Sequence, residues 1–464
     1  MSPAFGAGDP SVTPTAEASS FEPVSREIPR PAELQRDIDF WIRVYSEITT
    51  LQGFMHDERH LGVVYETLDL ALAGPPGSSQ RRELITRARK RWVTGLDAAV
   101  HALETGAAES VTGDALRVLE LWGKDATPAR LREARAEIRF QLGQADRFRA
   151  GIVRSGTWES HIARTFSSLG LPPELAALPH VESSFTPTAY SKVGASGLWQ
   201  FMPSTGRLFM RVDDIVDERL DPFRATEAAA KLLLNNYRFL GSWPLAITAY
   251  NHGPGGMNRA KRTLGTDDFA VIARSYRSRS FGFASRNFYP SFLAALTIDQ
   301  DPQRYFPGVT RAPEMQFHEI AMPGYADIKL LEKTLNVSMG ELRELNPALR
   351  PAVWSGERLV PRGYRLRLPP ERAISPDEFL AKIGTDQIYV AQIGPRAHKV
   401  GRGETLHQIA RKYGFNVRRL AELNGLEPSA KLKRGRILQL PGDRPSTLAE
   451  LSAQSPAATT DSSL

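Results

Sequence analysis

Six positions in the last third of this 464-residue chain recur 78 residues further on, and this repeat strongly limits the folds available there. The first copy comprises Ile328, Leu331, Leu335, Leu342, Leu345 and Asn346, and the second comprises Leu406, Ile409, Tyr413, Leu420, Leu423 and Asn424. Apolar residues at this spacing predict a pair of short helices in each copy. A strand-like segment follows each pair, at 364–369 and at 436–441. The sequence therefore predicts one small mixed unit that is used twice.

The chain before residue 300 has a helical pattern. Apolar residues recur at three- and four-residue spacing from Ile38 to Ile48 and again near Leu116 and Leu119. Residues 226–232 form a strongly helical stretch, and no strand alternation is visible between 150 and 300. We therefore expect a mainly α fold, in which a helical N-terminal region and a helical central domain precede the two small mixed units.

Changes in composition and pattern give the expected boundaries. Residues 1–32 are rich in Pro, Ser, Thr, Ala and Glu and have too few large apolar residues to offset the entropy of ordering. The predicted parts are a disordered leader 1–32, a helical N-terminal region 33–150, a helical central domain 151–305, a first repeat copy 317–370, a linker 371–397, a second copy 398–442 and a disordered tail 443–464.

Composition excludes several functional classes. The chain has no cysteine, which excludes disulfides, thiolate metal sites, a cysteine nucleophile and a lipid-modified cysteine. No window reaches the roughly 18 apolar residues of a membrane helix, and no export signal is visible. The segment 396–436 contains eleven Lys or Arg and three Glu, so the net charge of +7 is concentrated there. Such a surface suits anionic partners, and charge alone does not choose among them.

Glu182 is the candidate catalytic residue. Leu178, Val181 and Phe185 surround it in the sequence, and loss of hydration beside apolar groups raises the pKa of a carboxyl so that it can deliver a proton at neutral pH. Most glycosidases pair two carboxylates, but only one is evident here. Asp213, Asp214, Asp217 and Glu218 belong to no recognisable motif and are assigned surface roles.

Three blocks around Glu182 resemble the transglycosylase SLT family, the lytic murein transglycosylases. The blocks are Glu182-Ser183 with Ser191-x-x-Gly194-Ala195-x-Gly197-Leu198-Trp199-Gln200-x-Met202-Pro203-x-Thr205, then Ala249-Tyr250-Asn251-His252-Gly253-Pro254-Gly255, and the weaker Ser285-Arg286-Asn287-Phe288-Tyr289-Pro290. The C-terminal repeat points to the membrane-bound D type. The resemblance implies a lysozyme-like domain at 151–305 and cleavage of the β-1,4 bond between N-acetylmuramic acid and N-acetylglucosamine in peptidoglycan, leaving 1,6-anhydromuramoyl ends.

The resemblance also implies roles for individual residues. Glu182 would act first as acid and then as base, with the substrate supplying the nucleophile. The substrate-binding residues would be Ser191, Gly194, Gln200, Met202, Tyr250 and Asn251. We expect Gly194, Ala195 and Gly197 to let their loop approach the sugar closely, because glycine tolerates positive φ and adds no side chain.

One block departs from the family pattern. Where the family usually has Glu-Thr-x-x-Tyr, this chain has Ala284-Ser285-Arg286-Asn287-Phe288, so a cleft carboxyl and a tyrosine hydroxyl are missing. Tyr289 is adjacent but out of register. The departure puts the efficiency of substrate binding in question more than the acid itself.

The second repeat copy resembles a LysM module through Val400-x-x-Gly403-Glu404-Thr405-Leu406, Ile409-Ala410, Tyr413, Leu423-Asn424 and Ile437-x-x-Leu440-Pro441. That family folds as two strands flanking two helices and binds polymers that contain N-acetylglucosamine. The implied glycan-binding residues are Gly403, Glu404, Thr405, Leu406 and Asn424. The first copy lacks the Gly-Asp/Glu-Thr-Leu start and is interpreted as a degenerate LysM-like module.

The partners expected from these resemblances are peptidoglycan glycan strands in the cell envelope, at a periplasmic or outer-membrane-associated location, with no nucleic acid. The N-terminal helical region is a candidate surface for envelope protein partners. No cofactor is expected, and His180 and His252 lack the spacing and third ligand of a metal site. Two alternatives stay open, namely a noncatalytic peptidoglycan-binding scaffold and a muramidase that uses water.

Overall fold

The computed structural model describes residues 27–394, 397–440 and 445–454. Most of these residues are helical, and the strands of the described part form three small antiparallel sheets. The mainly α prediction is therefore confirmed. None of the helices described is both long and apolar enough to cross a membrane. Short 3-10 turns lie at Ala32–Leu34, Ala108–Ser110, Gly123–Asp125, Pro173–Ala177, Glu218–Leu220 and Pro370–Arg372.

The N-terminal region mixes helices with a sheet. Its elements are α1 (Gln35–Ser46), β1 (Gln52–Asp57), β2 (Val64–Asp69), α2 (Ser79–Thr105), α3 (Gly113–Trp122), α4 (Pro128–Glu137), β3 (Ile138–Leu142) and α5 (Ala145–Ser155). The sheet order is β2-β1-β3, with both pairs antiparallel. The region 33–150 that was predicted to be helical therefore also contains a three-stranded sheet, which the sequence pattern did not show.

The central strand explains why the sheet escaped the sequence pattern. Phe54 belongs to the core that contains α1 and the central helices, whereas its neighbour Met55 belongs to the core beneath α2. With both faces covered, β1 lacks the apolar-polar alternation of a half-exposed strand. Gly53 is needed beside β3, since a Cβ there would lie 2.3 Å from the ring of Phe140.

The central helices pack into one core with the start of the chain. They are α6 (Glu159–Ser168), α7 (Leu178–Ser183), α8 (Pro203–Gly206), α9 (Pro222–Leu240), α10 (Trp243–His252), α11 (Pro254–Leu264), α12 (Phe269–Ser275), α13 (Phe283–Gln300) and α14 (Pro302–Tyr305). The helical stretch predicted at 226–232 lies inside α9. Ile38 and Trp41 of α1 share the core with Phe292 of α13, so packing crosses the predicted boundary at residue 150.

The two repeat copies have the same architecture. The first contains β4 (His318–Ala321), α15 (Ile328–Leu335), α16 (Met339–Leu345), α17 (Pro351–Trp354) and β5 (Arg365–Leu368). After α18 (Pro376–Ile383), the second contains β6 (Ala397–Lys399), α19 (Leu406–Tyr413), α20 (Val417–Leu423) and β7 (Ile437–Gln439). In each copy the two strands pair antiparallel around the helices.

The repeated asparagine has the same role in both copies. Asn346 donates to the carbonyl oxygens of Leu342 (2.9 Å) and Arg367 (2.8 Å) and accepts from the Arg367 backbone N–H (2.9 Å). Asn424 makes the same three bonds with Leu420 and Gln439, at 2.8, 2.7 and 2.6 Å. Each amide therefore ties the end of the second helix to the closing strand.

A predicted linker and part of a predicted disordered tail contain helices. In the expected linker 371–397, α18 buries Phe379 and Ile383 in the core of the first copy. In the expected tail, α21 (Leu448–Gln454) packs Leu448 on that core, and Thr447 bridges Tyr389. The disorder predicted for the tail was wrong at α21, which gains burial on the first copy, and the linker contains a helix that packs on the module directly before it. Of the predicted leader 1–32, residues 1–26 lie outside the described part, while the carbonyl oxygen of Pro29 accepts a hydrogen bond from Tyr289.

Candidate active site

Glu182 is the next-to-last residue of α7, where the chain leaves the helix through two consecutive residues with positive φ, Ser184 (49°) and Phe185 (54°). Such conformations are unfavourable for residues with a side chain. Arg154 of α5 supports them by donating to the carbonyl oxygens of Ser184 (2.6 Å) and Phe185 (3.1 Å). The helix end that carries Glu182 is therefore fixed by a side chain from a different helix.

The Glu182 carboxyl is partly buried, and burial raises its pKa to about 8. Its charge is close enough to contribute to the raised pKa values of Tyr45 and Tyr250, although burial is the main cause for both. The structure gives it no hydrogen bond or ion pair with another described residue. At pH 7 the protonated form therefore predominates. This agrees with the sequence-based expectation of an acid able to donate a proton at neutral pH.

An open cleft of about 370 Å³ lies over Glu182. One wall comes from the end of α7 and the segment after it, including Ser183, Thr186 and Ala189. The opposite wall comes from α5, with Gln144, Arg147 and Arg154. The position of α5 at the site could not be predicted from the sequence, because its approach depends on packing between separate helices.

The glycine-rich loop after Tyr190 is held by a buried ion pair. Arg219 binds Asp217 through Nη2 to Oδ2 (2.8 Å) and Nε to Oδ1 (2.9 Å). The same guanidinium donates to the carbonyl oxygens of Gly194 (2.9 Å) and Phe201 (3.0 Å). Asp217 is only 3% exposed, so its predicted surface role was wrong. Burial of the Asp217 carboxylate is offset by its ion pair with Arg219. No sequence motif indicates this pairing.

The first repeat copy reaches this ion pair. The Asp217 backbone N–H donates to the Ala348 carbonyl oxygen (2.8 Å), and Val216 pairs with Leu349. Arg350 lies 3.9 Å from Asp217 Oδ2 and donates to the Tyr190 hydroxyl (3.0 Å). The first copy therefore contacts both the ion pair and Tyr190, which precedes the loop.

The two glycines of the loop have different reasons to be glycine. A Cβ on Gly197 would lie 1.7 Å from the carbonyl oxygen of Arg219, and its φ is 82°. Gly194 has a φ of 91° and open space around it. The close approach at Gly197 is thus to the protein's own backbone, whereas we had expected it to be to a sugar.

The other predicted substrate-binding residues take different positions. Ser191 Oγ accepts from Ala195 N–H (2.9 Å), and Gln200 Nε2 donates to the Gly197 carbonyl oxygen (2.9 Å), so both stabilise the loop. Met202 is exposed and available for contact. The Tyr250 hydroxyl donates to the Trp199 carbonyl oxygen (2.8 Å), which joins α10 to the loop.

Asn251 lies beside the block that departs from the family pattern. Its Oδ1 accepts a long hydrogen bond from Ser285 (3.4 Å), and Ser285 also pairs with His252 Nδ1 (3.1 Å). Phe288 is buried and Tyr289 is directed at Pro29. Neither replaces the missing tyrosine hydroxyl next to Asn251.

The histidines near the site are engaged in packing. His180 Nε2 lies 2.8 Å from Asp299 Oδ1, and its ring stacks on Phe148 at 4.6 Å. Outside the cleft, Asp57, His60 and Glu137 bring possible ligand atoms within 4.8 Å of one another. Asp57 Oδ1 already accepts from the backbone N–H groups of Arg59 and His60, and Arg59 Nε lies 3.6 Å from Glu137 Oε1. We assign no metal to this cluster.

The residues proposed for glycan binding in the second copy divide into two groups. Leu406 is buried in the module core and the partly exposed Asn424 binds the closing strand, so both side chains stabilise the module, and their role in glycan binding stays a prediction. Thr405 caps α19, and Glu404 Oε2 accepts from His398 Nε2 (2.7 Å) and from Gly401 N–H (2.6 Å). Gly403 has a positive φ (75°) in the turn that precedes Glu404 and Thr405.

The geometry is that of a helical glycosidase-like site with one acid, joined to two βααβ modules. Residues 165–272 match the family model "Transglycosylase SLT domain", and residues 398–441 match "LysM domain". The chain belongs to the transglycosylase SLT-domain family and carries a LysM domain.

Relatives give the extent of the similarity. The membrane-bound lytic murein transglycosylase D of Escherichia coli is 26% identical over 300 residues, which cover 62% of this chain and 64% of that protein. The chain thus matches less than two thirds of that relative's length. An Alteromonas protein named for tributyltin chloride resistance is 30% identical over 163 residues, covering 35% of this chain and 77% of its own.

A solved structure, the lytic transglycosylase Slt of Pseudomonas aeruginosa, is 24% identical with a TM-score of 0.26. The match covers 32% of this chain and 24% of that one.

Proposed function

We propose that this chain is a lytic transglycosylase that cleaves the β-1,4 bond between N-acetylmuramic acid and N-acetylglucosamine in peptidoglycan, with Glu182 as its only acid and base. The observation that carries the proposal is the Glu182 carboxyl, protonated at neutral pH in an open cleft. Membership of the SLT-domain family supports the same reaction.

In the first step Glu182 donates its proton to the glycosidic oxygen. The acetamido oxygen of the muramoyl residue attacks the anomeric carbon as the bond to the leaving sugar breaks. In the second step the Glu182 carboxylate accepts the proton of the muramoyl six-hydroxyl, whose oxygen attacks the same carbon and displaces the acetamido oxygen. Each proton lost by Glu182 is regained, and the product is a 1,6-anhydromuramoyl end. Glu182 therefore ends the cycle protonated by the six-hydroxyl proton, and its raised pKa keeps it protonated until the next strand binds.

Tyr250 and the loop 190–201 would position the sugar. The hydrogen bond from Tyr250 to the Trp199 carbonyl oxygen and the support from Arg219 keep the loop beside α10. A groove with few but fixed polar groups gives selectivity for one sugar orientation. The exposed Met202 side chain would pack against the apolar face of a sugar ring.

The C-terminal module would hold the enzyme on its polymer in the cell envelope. A linked binding module raises the effective concentration of the cleft near insoluble substrate. The basic segment of the second copy would favour anionic wall material. The N-terminal region would be the surface on which other envelope proteins dock.

The test is incubation of purified peptidoglycan with the protein and with Glu182→Gln, followed by mass spectrometry of the released muropeptides. Asp214→Asn is the matched control, since Asp214 is an exposed acid outside the cleft. Anhydromuramoyl products from the wild type and the control, but not from Glu182→Gln, support the proposal. Reducing ends in their place, heavier by one water, would show a muramidase. Sedimentation with the wall and no product would show a binding scaffold.

A further inference from the structure

One face of α5 is turned toward the catalytic helix end. A Cβ on Gly151 would lie 3.1 Å from the Ser184 carbonyl oxygen, so the absence of a side chain brings α5 against the end of α7. Arg154, three residues later, donates to the carbonyl oxygens of Ser184 and Phe185. Residues spaced by three or four along a helix share a face. Arg147 therefore lies on the face that meets α7.

Arg147 belongs to the wall of the Glu182 cleft. It precedes Gly151 by four residues, which places it about 6 Å along the helix axis from the contact point. Together with Gln144 it lines the cleft that contains Glu182, and its side chain is exposed. This wall thus presents the Gln144 amide and the Arg147 guanidinium to whatever occupies the space over the acid.

The Arg147 guanidinium has no hydrogen bond or ion pair with any residue that the structure describes. The adjacent acid is not its partner: Asp146 accepts from Thr50 through both carboxylate oxygens, at 3.0 and 2.5 Å. Arg154, the other arginine of this wall, is held by backbone carbonyl oxygens. Arg147 does not account for the raised pKa of Glu182 either, since that shift comes from burial.

We propose that Arg147, assisted by Gln144, binds a carboxylate on the lactyl and peptide side of the muramoyl residue held next to Glu182. The inference rests on the proposed function, because that reaction places a muramoyl residue in this cleft. Two chemical sources can supply the carboxylate: the stem peptide in intact strands, or the lactyl group itself where the peptide has been removed. A guanidinium binds a carboxylate through two parallel hydrogen bonds, which an ammonium does not reproduce.

The consequence is a substrate preference set by α5. A strand whose muramoyl residue presents a carboxylate at this position would bind the cleft more tightly than a neutral glycan of the same length. Arg147 would then determine specificity without contacting the bond that breaks. Its loss would raise KM and leave kcat nearly unchanged, because the interaction is present before and during bond cleavage.

The experiment compares Arg147→Ala and Arg147→Lys with Arg149→Ala in the full chain. Arg149 is an exposed arginine of the same helix that does not line the cleft, so its variant controls for lost positive charge. KM and kcat are measured on intact glycan strands and on strands stripped of stem peptides by an amidase. We expect Arg147→Ala to raise KM about tenfold on one of these substrates, Arg147→Lys to raise it less, and Arg149→Ala to leave it unchanged.

The comparison of intact and stripped strands shows which carboxylate Arg147 binds. An effect confined to intact strands assigns the stem peptide, and one confined to stripped strands assigns the lactyl group. Equal KM values for wild type, Arg147→Ala and Arg149→Ala on both substrates would overturn the inference.

A binding measurement separates this inference from the proposed function. Dissociation constants for the same fluorescently labelled strands are determined with Glu182→Gln alone and combined with Arg147→Ala. A tenfold weakening in the double variant supports the subsite even if the wild type releases no anhydromuramoyl product. Equal affinity overturns it even if the wild type is an active transglycosylase. Unchanged melting of the Arg147 variants excludes misfolding as the cause.

Discussion

Asp217 and Arg219 form a buried ion pair 2.8 Å long whose guanidinium also holds the carbonyl oxygens of Gly194 and Phe201. The two residues are separated by one position in the sequence, yet the pair fixes a loop that begins more than twenty residues earlier. The hydrogen bond from the Asp217 backbone to Ala348 and the nearby Arg350 connect the pair to the first βααβ module. The position of the loop beside Glu182 therefore depends on contacts with a module that does not contain Glu182.

Replacement of Asp217 by alanine should destabilise the protein and weaken substrate binding. Removing one partner of a buried pair leaves Arg219 as an uncompensated charge, at a cost of about 3–5 kcal/mol. We expect a lower Tm and, at temperatures where the variant stays folded, a higher KM for peptidoglycan strands. Calorimetry and muropeptide release measure the two effects. Asp217→Asn, which keeps a hydrogen-bonding side chain, should lose less. Asp214→Ala, at an exposed acid, should melt like the wild type, and a similar Tm for Asp217→Ala would show that the pair does not matter.

Alanine at Gly197 should be far more damaging than alanine at Gly194. Both glycines have positive φ, which costs an alanine about 1 kcal/mol, but only at Gly197 would the Cβ meet backbone, at 1.7 Å from the Arg219 oxygen. We expect Gly194→Ala to fold with a slightly lower Tm and Gly197→Ala to be recovered mainly as misfolded protein. Circular dichroism and soluble yield compare them. Equal yields and equal melting would contradict the reported close approach.

Some of these features could be predicted from the sequence because their causes are local. The apolar spacing of α1 and α9 and the repeated Leu-Asn pattern reflect contacts within a few turns of the chain, and the structure has helices there. The raised pKa of Glu182 was predicted from apolar neighbours in the sequence, although Tyr45 and Tyr250, which are close enough to be affected by its charge, come from distant parts of the chain. The helix α18 had a local signal as well, because Ser375 and Glu378 form a capping box before Phe379.

Other features depend on parts of the chain that meet only after folding. The sheet strand β1 pairs with β3 about eighty residues later and is buried on both faces, so its pattern resembles neither a helix nor a half-exposed strand. The burial of Asp217 depends on Arg219 and on Arg350 from another module. The position of Arg147 depends on how closely Gly151 lets α5 approach Ser184. Sequence spacing alone does not predict these contacts.

The two repeated asparagines should differ in their contribution to stability. Asn346 is fully buried, so alanine there leaves the Arg367 backbone groups unsatisfied, at a cost of about 2–3 kcal/mol. Asn424 makes the same bonds beside the exposed Gln439, where water can replace them, and its loss should cost about 1 kcal/mol. Hydrogen exchange followed by mass spectrometry should show faster opening of 317–370 in Asn346→Ala and of 398–440 in Asn424→Ala. A larger effect at Asn424 would contradict the difference in burial.

The rate of cleavage should fall as pH rises through the pKa of Glu182. Donation requires the protonated acid, and burial raises that pKa to about 8, so kcat/KM should lose a factor of ten for each unit well above pH 8. The profile is measured by anhydromuropeptide release with buffers of constant ionic strength. A fall centred near pH 4.5, the ordinary value for a glutamate, would show that the carboxyl is hydrated in the free enzyme.

The same carboxyl should make the folded protein less stable at alkaline pH. Its pKa is raised from 4.5 in the unfolded chain to about 8 in the folded protein, so between these values the folded state binds more protons and stability declines as pH rises. Glutamine carries no charge to bury, and Glu182→Gln should therefore unfold at a higher Tm than wild type at pH 8.5. Partial exposure reduces this gain to roughly 1–2 kcal/mol. At pH 4 the carboxyl is protonated in the folded state and mostly so in the unfolded state, and the difference should nearly vanish. A gain of equal size at both pH values would place its origin in packing and not in the buried charge.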